Sequence, residues 1–511
     1  MKKWKVVIFV MVWVVLLAAC STKEAPPAPQ VSQAPKASAE VPSPNIEKQK
    51  HTFTMLLESH ANWPYNKDWP VWDWIEEKTG ARFNVELPSG ELNDTINLNM
   101  ASGNLPDITF FLNRANADKF GQQGALANIL DYKDDMPHLT AWLQKYPDIA
   151  NSSLAADGKM YMLPNEGFGE TNRVIWMYRE DIFKKHGLEI PGTYDELIEV
   201  SKKLKELYPE SYPFSFRSGS NLQILNFTTA QFGLKNFIFQ DPNTGEARYG
   251  PTEDGYKEMV GYLQVMNKEG LIPPDWLTFN LQQWQNAVTN DQSFIILDYI
   301  GRLDLFNIPM QKTNPEFKLA FMPPPEGTPG NKVNPYIHFL ESGMTVSAKS
   351  KKVKEVMQAL DWYYSEEARK ILSYGPDDVV YTTVNGEKKL RDEYQDVTDV
   401  RKKTGLATNG AYSWFDYDAH LAPATQEQRD TFDLARQYDS FFPVRPQYIE
   451  SELSTVSMLS TAVDKHRNEQ ITRFILGQRS LEEWDQYVTE AKEIGLNELM
   501  KISKTAYDRL K

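Results

Sequence analysis

A chain of 511 residues is long enough for two separately packed cores. Its formal charge of −14 argues against a nucleic-acid partner, because phosphate binding needs concentrated Lys and Arg. It also disfavours anionic polymers, unless a local basic pocket overrides the average. With Cys20 as the single cysteine, the folded body holds no disulfide, thiolate metal cluster or cysteine nucleophile.

Lys2, Lys3 and Lys5 precede an apolar run from Val6 to Leu17, and Leu17-Ala18-Ala19-Cys20 supplies a small-residue cleavage site. The run is short for a bilayer, so residues 1–20 read as a removable export signal. A signal that ends in cysteine resembles a bacterial lipobox. That resemblance implies a lipidated, palmitate-bearing Cys20 at the mature N-terminus; an ordinary signal with an incidental cysteine is the other reading. Residues 21–50 are rich in Pro, Ala and Ser and read as a semi-extended tether.

From Phe53 the pattern changes. Phe53 to Leu57 reads as a strand, and Glu58 to Asp68 as a loop carrying His60, Asn62, Trp63 and Tyr65. A helix follows with Pro70 in its first turn and Gly80 as its stop. Arg82 to Leu87, Glu91 to Ser102 and Asp107 to Leu112 then alternate strand, helix, strand, which predicts a mostly parallel sheet wrapped by helices. Such sheets bind ligands beyond the carboxyl ends of their strands. The rule selects the His60 loop and the Asn113-Arg114 turn. Trp63 is either a ligand contact or rim packing; Arg114 reads first as a solvated surface charge and second as a ligand contact.

Tyr161-Met162-Leu163-Pro164 leads to the apolar, β-branched and aromatic run Val174 to Tyr178, a largely buried strand. A short helix stopped by Gly187 follows, then Thr193 with Glu196 as a capping box for the next helix. In that order, Asp157-Gly158-Lys159, Tyr161 to Pro164, Tyr178-Arg179-Glu180-Asp181 and Gly192 to Leu197 resemble the extracellular solute-binding lipoproteins of carbohydrate ABC importers, the group related to maltodextrin- and alginate-oligosaccharide-binding proteins. The resemblance runs from about Phe53 to about Ser365.

The resemblance implies an α/β, two-lobe periplasmic-binding-protein-like fold with a hinge and a helix-rich C-terminal part. Residues 51–165 plus 291–345 would form the first lobe, and residues 166–290 plus 346–511 the second. Glu170 and Arg173 would lie at the first crossing, and Arg217 in a polar loop of the second lobe. Tyr299 would be a sugar platform with Asp298 as a hydroxyl acceptor, although burial of Tyr299 in the core is an equal reading. Trp414 would complete the site from the second lobe, or pack between helices.

Asp241 to Gly245 superficially resembles a calcium loop, but Gly245 takes the fifth position and Thr252 the twelfth, so it reads as a turn between two short strands. The seven His have no metal-ligand spacing, and no dinucleotide, GxSxG or HExxH motif occurs. No metal, cofactor or catalytic residue is expected. The sequence therefore points to a monomeric, lipid-tethered receptor on the extracytoplasmic face of the cell membrane. It would enclose an oligosaccharide and deliver it to ABC permease subunits. A polysaccharide-cleaving surface enzyme and a non-transport glycan sensor or adhesin are the rival readings.

Overall fold

The computed structural model describes residues 50–165, 173–217, 222–336, 342–441 and 443–510. The export signal, Cys20, nearly all of the tether, and Glu170 lie outside the described residues. Among those described, no helix is long and apolar enough to cross a membrane.

Strand β1 (His51–Leu56) lies between β2 (Ala81–Glu86) and β3 (Ile108–Phe111), parallel to both. The expected strand–helix alternation produces this arrangement, because a helix returns the chain to the same end of the sheet each time. Helix Pro70–Thr79 begins on Pro70 and ends on Gly80 at φ 74°, a left-handed turn that glycine adopts without a Cβ clash. A later strand, β10 (Gly343–Val346), closes the sheet antiparallel to β3, with Val346 opposite Ile108.

The second sheet has the order β5-β8-β4-β9. Its strands are β4 (Val174–Arg179), β5 (Phe214–Ser215), β8 (Ile295–Tyr299) and β9 (Leu319–Met322). All six residues of β4 are buried. Val174, Trp176 and Tyr178 join one apolar cluster and Ile175 and Met177 another, so the period-2 alternation feeds two cores, one on each face. Fully burying such side chains contributes about 1.5 to 3 kcal/mol each.

Two expectations about chain assignment are corrected. β8 and β9 both pair with β4, so residues 295–322 belong to the second sheet and not to the first lobe. Residues Val356 to Ala419 share a core with Phe53 and Phe110 of the first sheet and with Trp142 of helix Pro137–Lys145, so this stretch is not part of the second lobe. Only beyond it do helices Gln426–Arg436, Glu450–Ile475 and Trp484–Ala491 pack on the second sheet. The tail is also not wholly helical: β11 (Tyr381–Val384) and β12 (Glu387–Leu390) form a hairpin.

The chain thus passes between the two halves at 165–173, at 323–342 and near 419–426. Helix Arg114–Gln122 packs closely on the segment that leads to the first passage. A Cβ on Gly121 would come within 2.1 Å of Tyr161 Cγ, so only glycine allows that approach.

Short strands β6 (Ile238–Gln240) and β7 (Ala247–Tyr249) form the hairpin expected around Asp241. Asp241 Oδ1 accepts from the amides of Asn243 and Thr244, closing the turn. The expected capping box at Thr193 forms by half: Thr193 Oγ1 accepts from Glu196 N, whereas the Glu196 carboxylate takes the amide of Gly192.

Candidate functional site

Strand register brings the second-sheet residues together. β5 and β8 run parallel with Phe214 opposite Ile295 and Ser215 opposite Ile296. Two residues further along each chain, Arg217 comes level with Asp298. Arg217 Nε donates to Asp298 Oδ2 at 2.6 Å, and Arg302 Nε donates to Oδ1 at 3.0 Å from the first turn of helix Arg302–Met310. The Tyr299 amide donates to the same Oδ1 at 2.7 Å.

Asp298 is fully buried. Burial by itself would raise its pKa, but Arg302 and Arg217 outweigh this and hold the carboxyl below its ordinary value. The role expected of Asp298 as a sugar-hydroxyl acceptor is therefore corrected. Its oxygens are committed to the two arginines and the Tyr299 amide, and it holds other groups in place. Tyr299 is half-buried, with the Arg217 guanidinium 5.2 Å from its ring centre and Phe227 edge-on at 6.2 Å. Burial of Tyr299 in the core is thus incomplete.

The facing group grows from the carboxyl end of β1. His60 and Trp63 stack with ring centres 3.8 Å apart and planes within 7° of parallel. The Asn62 amide donates to His60 Nδ1 at 3.1 Å, and the Tyr65 amide donates to Ser59 Oγ, which tightens the loop. Over the Trp63 ring, at 4.5 Å, lies the guanidinium of Arg401. Its helix, Val397–Thr404, is pinned because buried Trp69 donates Nε1–H to Lys402 O at 2.7 Å. At the helix end, Gly405 packs so closely on Trp69 that a Cβ there would come within 2.7 Å of the indole.

The two groups act on each other. Burial, followed by the charges of Arg401, Arg302 and Arg217, lowers His60 from the ordinary 6.5 to about 4. At neutral pH the imidazole is uncharged. With Nδ1 accepting from Asn62, its proton belongs on Nε2. Arg302 and Arg401 were not singled out by the sequence. The Asp298–Arg302 spacing of four was the available signal for one; Arg401 carried none.

The remaining candidates do not join this group. Asn113 is the N-cap of helix Arg114–Gln122, where its side chain accepts from Ala115 N and Asn116 N. Arg114 is 1% exposed and donates to Met162 O and Ser153 O, so it is neither a surface charge nor a ligand contact. Arg173 is buried, ion-paired to Asp439 and set over the Tyr336 ring at 4.9 Å, where it clamps two chain passages. Trp414 is buried in the first-sheet core, with Tyr146 edge-on and Lys145 and Arg369 over its ring. It does not complete a site from the second lobe. Among the described residues, no group of three His, Cys, Asp or Glu is placed to hold a metal ion.

This geometry can be set beside known proteins. The LipO lipoprotein of Bacillus subtilis is 25% identical over 476 residues, covering 86% of this chain and 88% of that one. The polygalacturonan/rhamnogalacturonan-binding protein YtcQ of the same organism is 24% identical, covering 77% of each chain. The fructooligosaccharide ABC transporter substrate-binding protein FusA of Streptococcus pneumoniae is 27% identical, but the match spans 43% of this chain and 44% of that protein. In fold, the chain superposes on the alginate-binding protein AlgQ2 with a TM-score of 0.77 at 22% identity, covering 89% of this chain and 98% of that one. FusA in complex with kestose gives 0.71 at 18% identity, covering 90% and 99%. The neighbours share the two-lobe architecture. The bacterial extracellular solute-binding protein model matches residues 68–370, more than half of the chain, and the protein belongs to that family.

Proposed function

We propose that this protein is a membrane-tethered receptor that encloses an oligosaccharide between its lobes and passes it, chemically unaltered, to an ABC permease. The supporting observation is the pair of facing groups, His60-Trp63-Arg401 and Arg217-Tyr299-Arg302, each at the mouth of its own sheet. Aromatic faces match the CH faces of pyranose rings, and guanidinium and imidazole N–H groups match sugar oxygens. The names of relatives point the same way, toward fructooligosaccharides, polygalacturonan and alginate. Ligand contacts are assigned to His60, Asn62, Trp63, Arg217 and Tyr299, with Asp298 as the residue that orients them. Glu170 keeps its candidacy from its position in the sequence. Hinge bending about the three passages closes the site.

The state of Asp298 supports binding without catalysis. Glycoside hydrolysis uses a pair of Asp or Glu side chains that exchange protons, and Asp298, committed to two arginines, cannot serve as one. Lipidation at Cys20 is the tether, and LipO carries the name of a lipoprotein. Calorimetry against an oligosaccharide panel is expected to give saturable binding, weakened about tenfold or more in Trp63→Ala. Binding of peptides alone would overturn the ligand class. Release of sugar from polysaccharide by the pure protein would overturn the non-enzymatic reading.

A further inference from the structure

At the mouth of the second sheet two guanidiniums share a single carboxylate. Asp298 has no exposed surface, while the Arg217 and Arg302 side chains remain 24% and 14% exposed. The trio therefore carries one net positive charge that is partly open to solvent. Each arginine uses Nε on Asp298, and neither is ion-paired to any other described carboxylate. Arg217 also bonds the Tyr299 side chain, and the Arg302 guanidinium lies 5.5 Å from the Trp284 ring centre, so a ligand would meet the remaining Nη–H groups.

The opposite wall adds donors as well. Arg401 contributes a third guanidinium over Trp63, and His60, whose Nδ1 already accepts from Asn62, presents Nε2–H. The charged groups that act on His60 among the described residues are Arg401, Arg302 and Arg217, all cations. Guanidinium has five N–H donors and no acceptor. A neutral sugar hydroxyl is both donor and acceptor, and it leaves part of its capacity unused against three guanidiniums that only donate. A carboxylate accepts on both oxygens and matches the planar fork in a bidentate way.

We propose that the solute is an acidic oligosaccharide, whose sugar carboxylate is taken between Arg217 and Arg302, opposite His60 and Arg401. The inference rests on the carbohydrate reading above and narrows it. It also reconciles the site with the formal charge of −14: the cleft reverses the sign of the molecule locally.

The test is calorimetry on the mature chain with oligomers of galacturonate, mannuronate and glucuronate, each beside its methyl ester, and with neutral trisaccharides. At least one acid is expected to bind about tenfold or more tightly than its ester, with affinity falling as salt rises. Arg302→Gln should bring the acid-to-ester ratio toward one. If that variant does not fold, the ratio in the unaltered protein decides the matter. Binding the acid should also raise the NMR titration midpoint of His60 above its free value, because an anion now faces the imidazole. Esters that bind as well as acids, or binding confined to neutral sugars, would overturn the acidic ligand and leave the oligosaccharide receptor standing. Failure of every acid and every neutral sugar would overturn both.

Discussion

His60 concentrates the electrostatics of the site in one side chain. Burial first, and then three guanidiniums, keep the imidazole neutral in the folded protein, with a midpoint near 4 against 6.5 when free. The unfolded chain therefore binds more protons than the native one between those values. The stability this confers is complete above about pH 6.5 and is lost as pH falls toward 4, by up to about 3 kcal/mol. An NMR titration of the His60 ring should show the low midpoint, and His60→Gln should flatten the fall in melting temperature between pH 6.5 and 4. A midpoint near 6.5 would contradict the arrangement of the three arginines.

The hairpin of β6 and β7 illustrates the next scale. Its turn has the look of a cation-binding loop, but the positive charge comes from the chain itself. Arg248, on β7, donates Nη1–H to Asp241 Oδ2 at 2.5 Å and forks the Glu253 carboxylate with Nε and Nη2. Burial would raise the pKa of Asp241, but the Asn243 amide and Arg248 together lower it. Arg248 thus supplies at this turn the positive charge that a cation would bring. Chelation should leave the melting temperature unchanged, whereas Arg248→Ala should cost about 1 to 2 kcal/mol in denaturant unfolding, since three hydrogen bonds to partly exposed carboxylates are lost. A melting temperature that drops on chelation would refute this account of the hairpin.

For the whole molecule, the proposed receptor needs three passages that restrict relative motion of the halves to bending, and a tether that ends on a lipidated Cys20. Cys20→Ser should move the protein from the membrane fraction to the soluble fraction while sugar binding stays intact, because Cys20 lies far along the chain from every ligand contact. Retention at the membrane in the variant would refute the lipid anchor.

The sequence by itself determined the elements. The strand at Val174 to Arg179, the helix stops at Gly80 and Gly187, the cap at Thr193 and the turn at Asp241 depend on side chains within a few residues of one another. It also marked His60 and Trp63, because loops beyond strand ends are where ligands meet an α/β sheet, whereas Arg217 and Tyr299 were marked by resemblance to carbohydrate-binding proteins. Only the tertiary structure decided which sheet received β8, and to which core the helices from Val353 to Leu421 belong. A strand buried on both faces has the same composition in either sheet, and an amphipathic helix specifies a core-facing side without naming the core. The pairing of Arg217 with Asp298 was hidden for the same reason. It follows from the register of two strands 81 residues apart, which no local pattern records.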